Sequence, residues 1–118
     1  MSFDKNDPLH IYVREIDCIN PLTKSEEESL SQHVLARDDE AESAGRRLVE
    51  ANLRLVVSIA ERHFSAGVDR LDLVQKGNDG LQQALNTFSV DSRGNFSDYA
   101  ATYIEAAIAK AELESGSR

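Results

Sequence analysis

The sequence contains few of the residues that stabilise small extracellular proteins. It has one cysteine, Cys18, two prolines and no tryptophan in 118 residues. A single cysteine excludes an internal disulfide framework and favours a cytoplasmic protein; we expect its side chain to be buried or half-buried. No apolar run approaches the roughly 20 residues that a membrane-spanning helix needs, and the polar, acidic start of the chain is unlike a signal peptide.

Positive charge is also scarce. The chain has 13 lysine and arginine residues against 21 aspartate and glutamate residues, which gives a formal charge of −8. This balance excludes a surface built as a whole to attract nucleic acid, although a local basic face stays compatible with it. The length and the hydrophobic fraction of 41% predict a single domain, residues 1–118, with a modest core.

Catalytic and metal-binding patterns are missing from the sequence. His10, His33 and His63 are far apart, and no HExxH motif or zinc-type spacing of cysteine and histidine occurs. The glycines form no phosphate-binding loop. The acidic run 38–42 fits a helix start, where negative charge is stabilised, better than a metal site. The sequence therefore predicts a protein that is not an enzyme and needs neither cofactor nor metal.

What the sequence does contain is helical signals. Asp7 precedes Pro8 in "DPLHIYVREI", which is typical of a capped helix start. Thr23 and Glu26 have the spacing of a capping box in "TKSEEESLSQHVLA". These two helices occupy residues 7–36.

Three further helices are predicted within residues 38–114. The segment 38–64 carries the strongest apolar stripe. A helix over 70–88 follows, which Asp69 with Asp72 can cap, and Ser97 is expected to cap the last helix. The tail, 115–118, is expected to fray. Five helices with short polar links predict an all-α fold, a compact helical bundle.

The motif "GNDG" interrupts the helix over 70–88. Apolar spacing nevertheless continues in phase from Val74 through Gly77 to Leu81, which predicts one continuous helix. We expect Gly77 to allow close approach of a neighbouring helix and Gly80 to lie nearer the solvent. The opposite face is polar, and by itself it could simply be solvated.

Three segments together resemble a known family. "VEANLRLVVSIAERH", "LDLVQKGNDGLQQAL" and "FSDYAATYIEAAI" are similar to the conserved core, region 2, of the bacterial sigma-70 family of RNA polymerase initiation factors. The helices over 7–36 resemble the short conserved region that precedes this core. The resemblance covers Asp7 to about Lys110 and implies the helical fold of that core domain.

The resemblance implies a role for the polar face of the glycine-containing helix. In the family this helix docks on the coiled-coil clamp helices of the beta-prime subunit of core RNA polymerase. The matching candidate RNA polymerase-binding residues are Asp72, Gln75, Lys76, Asn78 and Gln82. Lys76 replaces a usual glutamate, which reverses one charge, and Gln82 replaces a usual methionine.

The resemblance also implies that the last helix and its loop bind single-stranded promoter DNA. Such binding uses aromatic stacking worth about 1–3 kcal/mol per base and cations along the phosphates. The matching candidate DNA-binding residues are Arg14, Asn52, Arg54, Leu55, Phe96, Tyr99, Thr102 and Tyr103.

Several positions of the last helix depart from the family pattern. Thr102 and Tyr103 replace two tryptophans, and Glu105 replaces an arginine. Asp98, Glu105 and Glu112 share one helical face, where a DNA phosphate would pass. Because carboxylates repel phosphate and the counter-ion release of the missing cations is lost, we expect weak binding to promoter DNA.

Three functional hypotheses follow from these residues. The first is a sigma-factor domain that binds RNA polymerase and takes part in promoter recognition and opening. The second is a sigma-like regulator that binds the polymerase without melting DNA, and the third is a helical adaptor with another partner. An anti-sigma factor is a further candidate partner, and no membrane partner is expected. Whether the chain is a piece of a longer sigma factor or a naturally short protein stays open.

Overall fold

The chain folds into a bundle of α-helices. The computed structural model describes residues 7–65, 67–89, 92 and 94–116. The helices are α1 (Pro8–Ile16), α2 (Lys24–Ala36), α3 (Ala41–Ala51), α4 (Leu53–Glu61), α5 (Arg70–Thr87) and α6 (Phe96–Gly116). No strand occurs within those ranges. The predicted all-α bundle is confirmed.

The predicted caps explain where three of the helices begin. The Asp7 side chain accepts a hydrogen bond from the first turn of α1, whose first residue is Pro8. Thr23 and Glu26 form the predicted capping box, with reciprocal bonds of 3.1 and 2.9 Å. Asp69 caps α5 in the same way, since its carboxylate accepts a hydrogen bond from the backbone of the first turn.

The cap of α6 differs from the prediction. The helix begins at Phe96, and the Asn95 side chain accepts a 2.8 Å hydrogen bond from the backbone N–H of Asp98. Ser97 therefore lies inside the first turn and is not the cap. Its own N–H group donates to the Glu27 carboxylate at 3.0 Å, so a side chain on α2 satisfies this helix end.

The segment predicted as one long helix is bent at Asn52. This residue has φ −103° and ψ 6°, and it separates α3 from α4. Its side-chain amide donates to the carbonyl oxygen of Leu48 at 2.7 Å. A side chain that binds the backbone in this way competes with the helical hydrogen bond, so six helices are found where five were expected.

Helices α4, α5 and α6 enclose the core around the two glycines of α5. A Cβ atom at Gly77 would lie 2.7 Å from Cγ1 of Val56 and 2.9 Å from Cδ1 of Ile108. The predicted close approach at Gly77 is therefore confirmed, and α5 is continuous through the "GNDG" motif. Gly80 is also buried, beneath α6, so its predicted position near the solvent is wrong.

Three further observations concern Cys18, membrane spans and metal ligands. Cys18 is exposed, not buried, and its thiol donates weakly to the carbonyl oxygen of Arg14 at 3.6 Å. None of the helices that the structure describes is long and apolar enough to span a bilayer. Within the same described part of the chain, no three histidine, cysteine or acidic residues are grouped as metal ligands.

Candidate functional site

One polar face runs along the outside of α5. Gln75, Lys76 and Gln82 are exposed on it, and Asp72 lies half-buried in the first turn. Four of the five candidate polymerase-binding residues therefore share the accessible side of one helix. Because α5 packs so tightly on the opposite side, this polar face sits on a well-supported element.

Asn78 is placed differently from the other four. It is half-buried, and its side-chain amide donates to the phenolic oxygen of Tyr12 at 3.2 Å. Its Oδ1 atom is buried and accepts no hydrogen bond from any residue that the structure describes. The Asn78 side chain thus connects α5 to α1.

A groove of about 650 Å³ lies next to the polar face of α5. Its lining includes the apolar side chains of Val34, Val49, Leu53 and Leu85, together with Gln82 and other polar or charged residues. The groove adds apolar area next to the amide-rich face of α5. No local sequence pattern reveals this groove, because its lining combines residues from three separate segments of the chain.

The two candidate tyrosines of α6 form one hydroxyl cluster. The Tyr99 and Tyr103 oxygens are 3.0 Å apart, and both lie within hydrogen-bond distance of Oγ1 of Thr87, at 2.8 and 3.1 Å respectively. The hydrogen bond with Thr87, followed by that with Tyr103, lowers the pKa of Tyr99. The rings of both tyrosines are only partly buried.

Phe96 does not belong to this accessible group. Its side chain is 0% exposed, and its ring packs edge-on against Phe88 with centroids 5.3 Å apart. A base therefore has no free face of Phe96 on which to stack in this conformation. Thr102, in contrast, is exposed, and its hydroxyl donates to the carbonyl oxygen of Tyr99 at 2.8 Å.

Asn52 takes part in a polar network that joins three helices. The Ser97 hydroxyl donates to Oδ1 of Asn52 at 2.8 Å, and it also lies 3.3 Å from a carboxylate oxygen of Glu27. Sequence analysis missed Glu27, because 70 residues separate it from Ser97 and no local pattern links the two. An amide, a hydroxyl and a carboxylate thus meet at one place.

The candidate cations lie on the outside of the molecule. Arg54 donates to the carbonyl oxygen of Asp17 at 2.7 Å, and its Nε lies 3.5 Å from the carboxylate of the same residue. Arg14 is exposed on α1, and Leu55 is half-buried on α4. Arg54 is thus engaged with the end of α1, although about half of its side chain stays exposed.

Two of the three carboxylates on the α6 face are paired with the end of α4. Nε2 of His63 lies 2.7 Å from Glu105, and Nδ1 lies 2.7 Å from Glu112. Arg62 is 3.5 Å from Glu105. The hydrogen bonds with Glu112 and then Glu105 raise the pKa of His63, against the opposing effect of its burial. Asp98 remains exposed at the start of α6.

A shallow groove of about 500 Å³ lies between α4 and α6 beside these pairs. Its lining residues are Ile59, Arg62, Ala101, Thr102, Glu105, Ala106 and Ala109. The groove therefore combines one candidate DNA-binding residue, Thr102, with an apolar floor and one ion pair. The sequence analysis placed Glu105 on this face but did not find its partners, which lie more than 40 residues away.

Comparisons with known proteins agree with the resemblance. The family model described as Sigma-70 region 2 matches residues 48–111. The chain is 45% identical over 106 residues to "RNA polymerase sigma factor SigA" of Listeria monocytogenes and of Listeria innocua, which is 90% of this chain and 28% of each relative. A SigA of a Bacillus species is 43% identical over 90% of this chain and 27% of its own length. The chain spans little more than a quarter of these curated relatives.

Proposed function

The chain belongs to the sigma-70 family, and we propose on that basis that it is a sigma-factor domain that binds core RNA polymerase and takes part in promoter DNA recognition. The polar face of α5 is the observation that carries this proposal. It presents Gln75, Lys76 and Gln82 on the exposed side of a helix whose other side is tightly packed. A pre-ordered polar face loses little conformational freedom on binding.

The proposed partner surface is the coiled coil of the beta-prime subunit. The amides of Gln75 and Gln82 offer hydrogen-bond donors and acceptors, while Asp72 and Lys76 offer one charge of each sign. The adjoining groove between α3 and α5 supplies apolar area beside Gln82. Asn78 supports this face from inside through Tyr12 and is not assigned a direct contact.

The proposed nucleic-acid surface lies on α6 and at the bend between α3 and α4. Tyr99 and Tyr103 offer partly exposed rings next to Thr87 of α5, and Thr102 lines the groove between α4 and α6. Glu27, Asn52 and Ser97 form a polar cluster at the bend. Asn52 is 6% exposed and already bonded to Leu48 and Ser97, so the half-buried Glu27 and Ser97 are the members that the edge of an unstacked base can reach.

The remaining candidates have supporting roles on this surface. Arg14 and Arg54 are exposed cations for phosphate, and Leu55 offers half-buried apolar area beside them. Phe96 contributes to this surface only through the core packing beneath it.

The double substitution Gln75→Ala with Gln82→Ala tests the docking face. We expect at least about a ten-fold loss of affinity for core RNA polymerase, since two hydrogen-bonding groups at an interface are removed. The matched control is Gln32→Ala, the same chemical change at an exposed position of α2. Unchanged binding of the double variant would reject this face as the dock.

The regulator hypothesis is favoured by the chemistry of the groove between α4 and α6. Ala106, Ala109 and the Glu105 carboxylate offer neither a base-stacking surface nor a free cation there. A competition experiment separates the two functions. Displacement of a full-length sigma factor from core polymerase, without promoter opening by permanganate footprinting, supports the regulator. Displacement with opening supports the sigma-factor domain, and failure to displace rejects both.

A further inference from the structure

His63 makes two short contacts that a neutral histidine cannot satisfy. Each of its ring nitrogens lies 2.7 Å from a carboxylate oxygen, one of Glu105 and one of Glu112. A neutral imidazole carries one N–H group, so the nitrogen without a proton would face a carboxylate lone pair at this distance. Only the protonated ring donates to both carboxylates. The His63 side chain is 16% exposed, whereas the Glu105 and Glu112 side chains are 46% and 38% exposed, so water reaches the carboxylate side of the bridge.

The bridge lies at the side of the groove between α4 and α6 and sets the charge next to it. Glu105 lines this groove together with Arg62 and Thr102. The charged groups that act on His63 are Glu105 and Glu112, both on α6, and Arg62 pairs with Glu105. With His63 protonated, these two cations and two carboxylates sum to zero. Loss of the proton leaves a charge of −1 and releases one carboxylate from the bridge.

We infer that His63 is a positioning residue: it positions the Glu105 and Glu112 carboxylates and thereby makes nucleic-acid binding depend on pH. When protonated, it holds Glu105 and Glu112 against the end of α4, and single-stranded DNA bound at the neighbouring surface of α6 meets no net charge from this cluster. When neutral, it frees a carboxylate beside the proposed phosphate path, and the added negative charge repels the same DNA. This inference rests on the proposed nucleic-acid surface and adds its regulation.

The two carboxylates place the transition above the pH at which a free histidine titrates. Hydrogen bonds to two carboxylates raise the pKa of His63 above its ordinary value of 6.5. A second histidine offers an internal comparison. His33 lies 2.7 Å from Asp38 near the end of α2, and the hydrogen bond with Asp38 raises its pKa. Neither residue lines the groove between α4 and α6, so we expect the titration of His33 to leave that groove unchanged.

The test measures the affinity of the 118-residue chain, in complex with core RNA polymerase, for a short fluorescein-labelled DNA single strand of mixed sequence. Fluorescence anisotropy is recorded from about pH 6 to about pH 9. For the wild-type chain we expect affinity to fall about five-fold across this range, the effect of one unit charge near a phosphate at an exposed surface.

The variants distinguish the effect of His63 protonation on DNA affinity from the effect of a general change in protein charge. His63→Arg should bind tightly at every pH, and His63→Gln should bind weakly at every pH. His33→Gln, the matched control, should keep the wild-type profile. Should His63→Gln fail to fold by circular dichroism, Glu105→Gln with Glu112→Gln replaces it and should bind tightly without pH dependence.

Each contrary result identifies what has failed. A wild-type affinity that ignores pH, or a His63→Gln variant that titrates like the wild type, overturns the role of His63. Absence of DNA binding at every pH, with polymerase binding intact, also overturns it and leaves the regulator hypothesis. Absence of polymerase binding in the same samples overturns the proposed function itself.

Discussion

Gly80 on α5 lies directly beneath the main chain of Tyr103 on α6. A Cβ atom at Gly80 would stand 2.7 Å from the carbonyl oxygen of Tyr103 and 3.0 Å from Cβ of Ala107. The two helices therefore approach each other closely enough that only a glycine fits. The distance to a backbone atom matters, because a helix backbone cannot move aside as a side chain can.

Gly80→Ala is expected to destabilise the fold by about 2–3 kcal/mol, although alanine is the better helix former by about 1 kcal/mol. Gly77→Ala should cost less, because the atoms it meets belong to the side chains of Val56 and Ile108. The free energy of unfolding in urea measures both. The control is Gln83→Ala on the exposed side of α5, which should lie within about 0.5 kcal/mol of the wild type. A Gly80→Ala variant as stable as this control would contradict the close approach.

Asn52→Ala is expected to reduce the free energy of unfolding by about 1–3 kcal/mol, because the carbonyl oxygen of Leu48 and the hydroxyl of Ser97 both lose a partner. Asn52→Asp should reduce the free energy of unfolding further than Asn52→Ala does at neutral pH. It cannot donate to Leu48, and it brings a second carboxylate toward Glu27. Thermal unfolding followed by circular dichroism ranks the two, and the reverse order would contradict the network.

Tyr12 and Asn78 are expected to be coupled in stability. Tyr12→Phe and Asn78→Ala each remove the only hydrogen bond that the structure describes between these side chains. A double-mutant cycle should give a coupling energy of about 0.5–1.5 kcal/mol. Zero coupling would show that the contact between α1 and α5 does not stabilise the fold.

The stability of the chain should depend on pH through His63. Because its folded-state pKa is raised above 6.5, the protonated form is favoured in the native state. Its contribution is complete below pH 6.5 and is lost as the pH rises through the folded-state pKa. Urea denaturation of the wild type and of His63→Gln, in parallel series of buffers, measures the difference. The free energy of unfolding should fall less with rising pH in His63→Gln than in the wild type. Equal pH profiles of the two proteins would contradict the bridge.

Local signals predicted the helices well, since each cap involves residues only a few positions apart. Asp7, Thr23 with Glu26, and Asp69 cap the helices they were expected to cap. The prediction that Ser97 caps α6 was wrong, because the helix begins one residue earlier, at Phe96. The Ser97 hydroxyl instead donates to the carboxylate of Glu27, a residue that no local pattern connects to it.

The long-range contacts could not be predicted in this way. Helical spacing shows which residues share a face, but it does not show which helix covers that face. Gly80 was predicted to lie near the solvent because its neighbours in sequence are polar, whereas α6 covers it. Glu105 and Glu112 were placed correctly on one face, yet their pairing with His63 arises only when α4 and α6 meet.

Residues 9–20 make several contacts with the later helices. Tyr12 is joined to α5, Arg54 binds the main chain at Asp17, and Arg47 donates to the carbonyl oxygen of Asn20 at 2.8 Å. Leu9 and Ile16 are buried in the same core as the later helices. The packed core therefore extends beyond residues 48–111, the stretch that the family model matches, and a fragment trimmed to those residues would expose apolar surface that α1 and α2 cover.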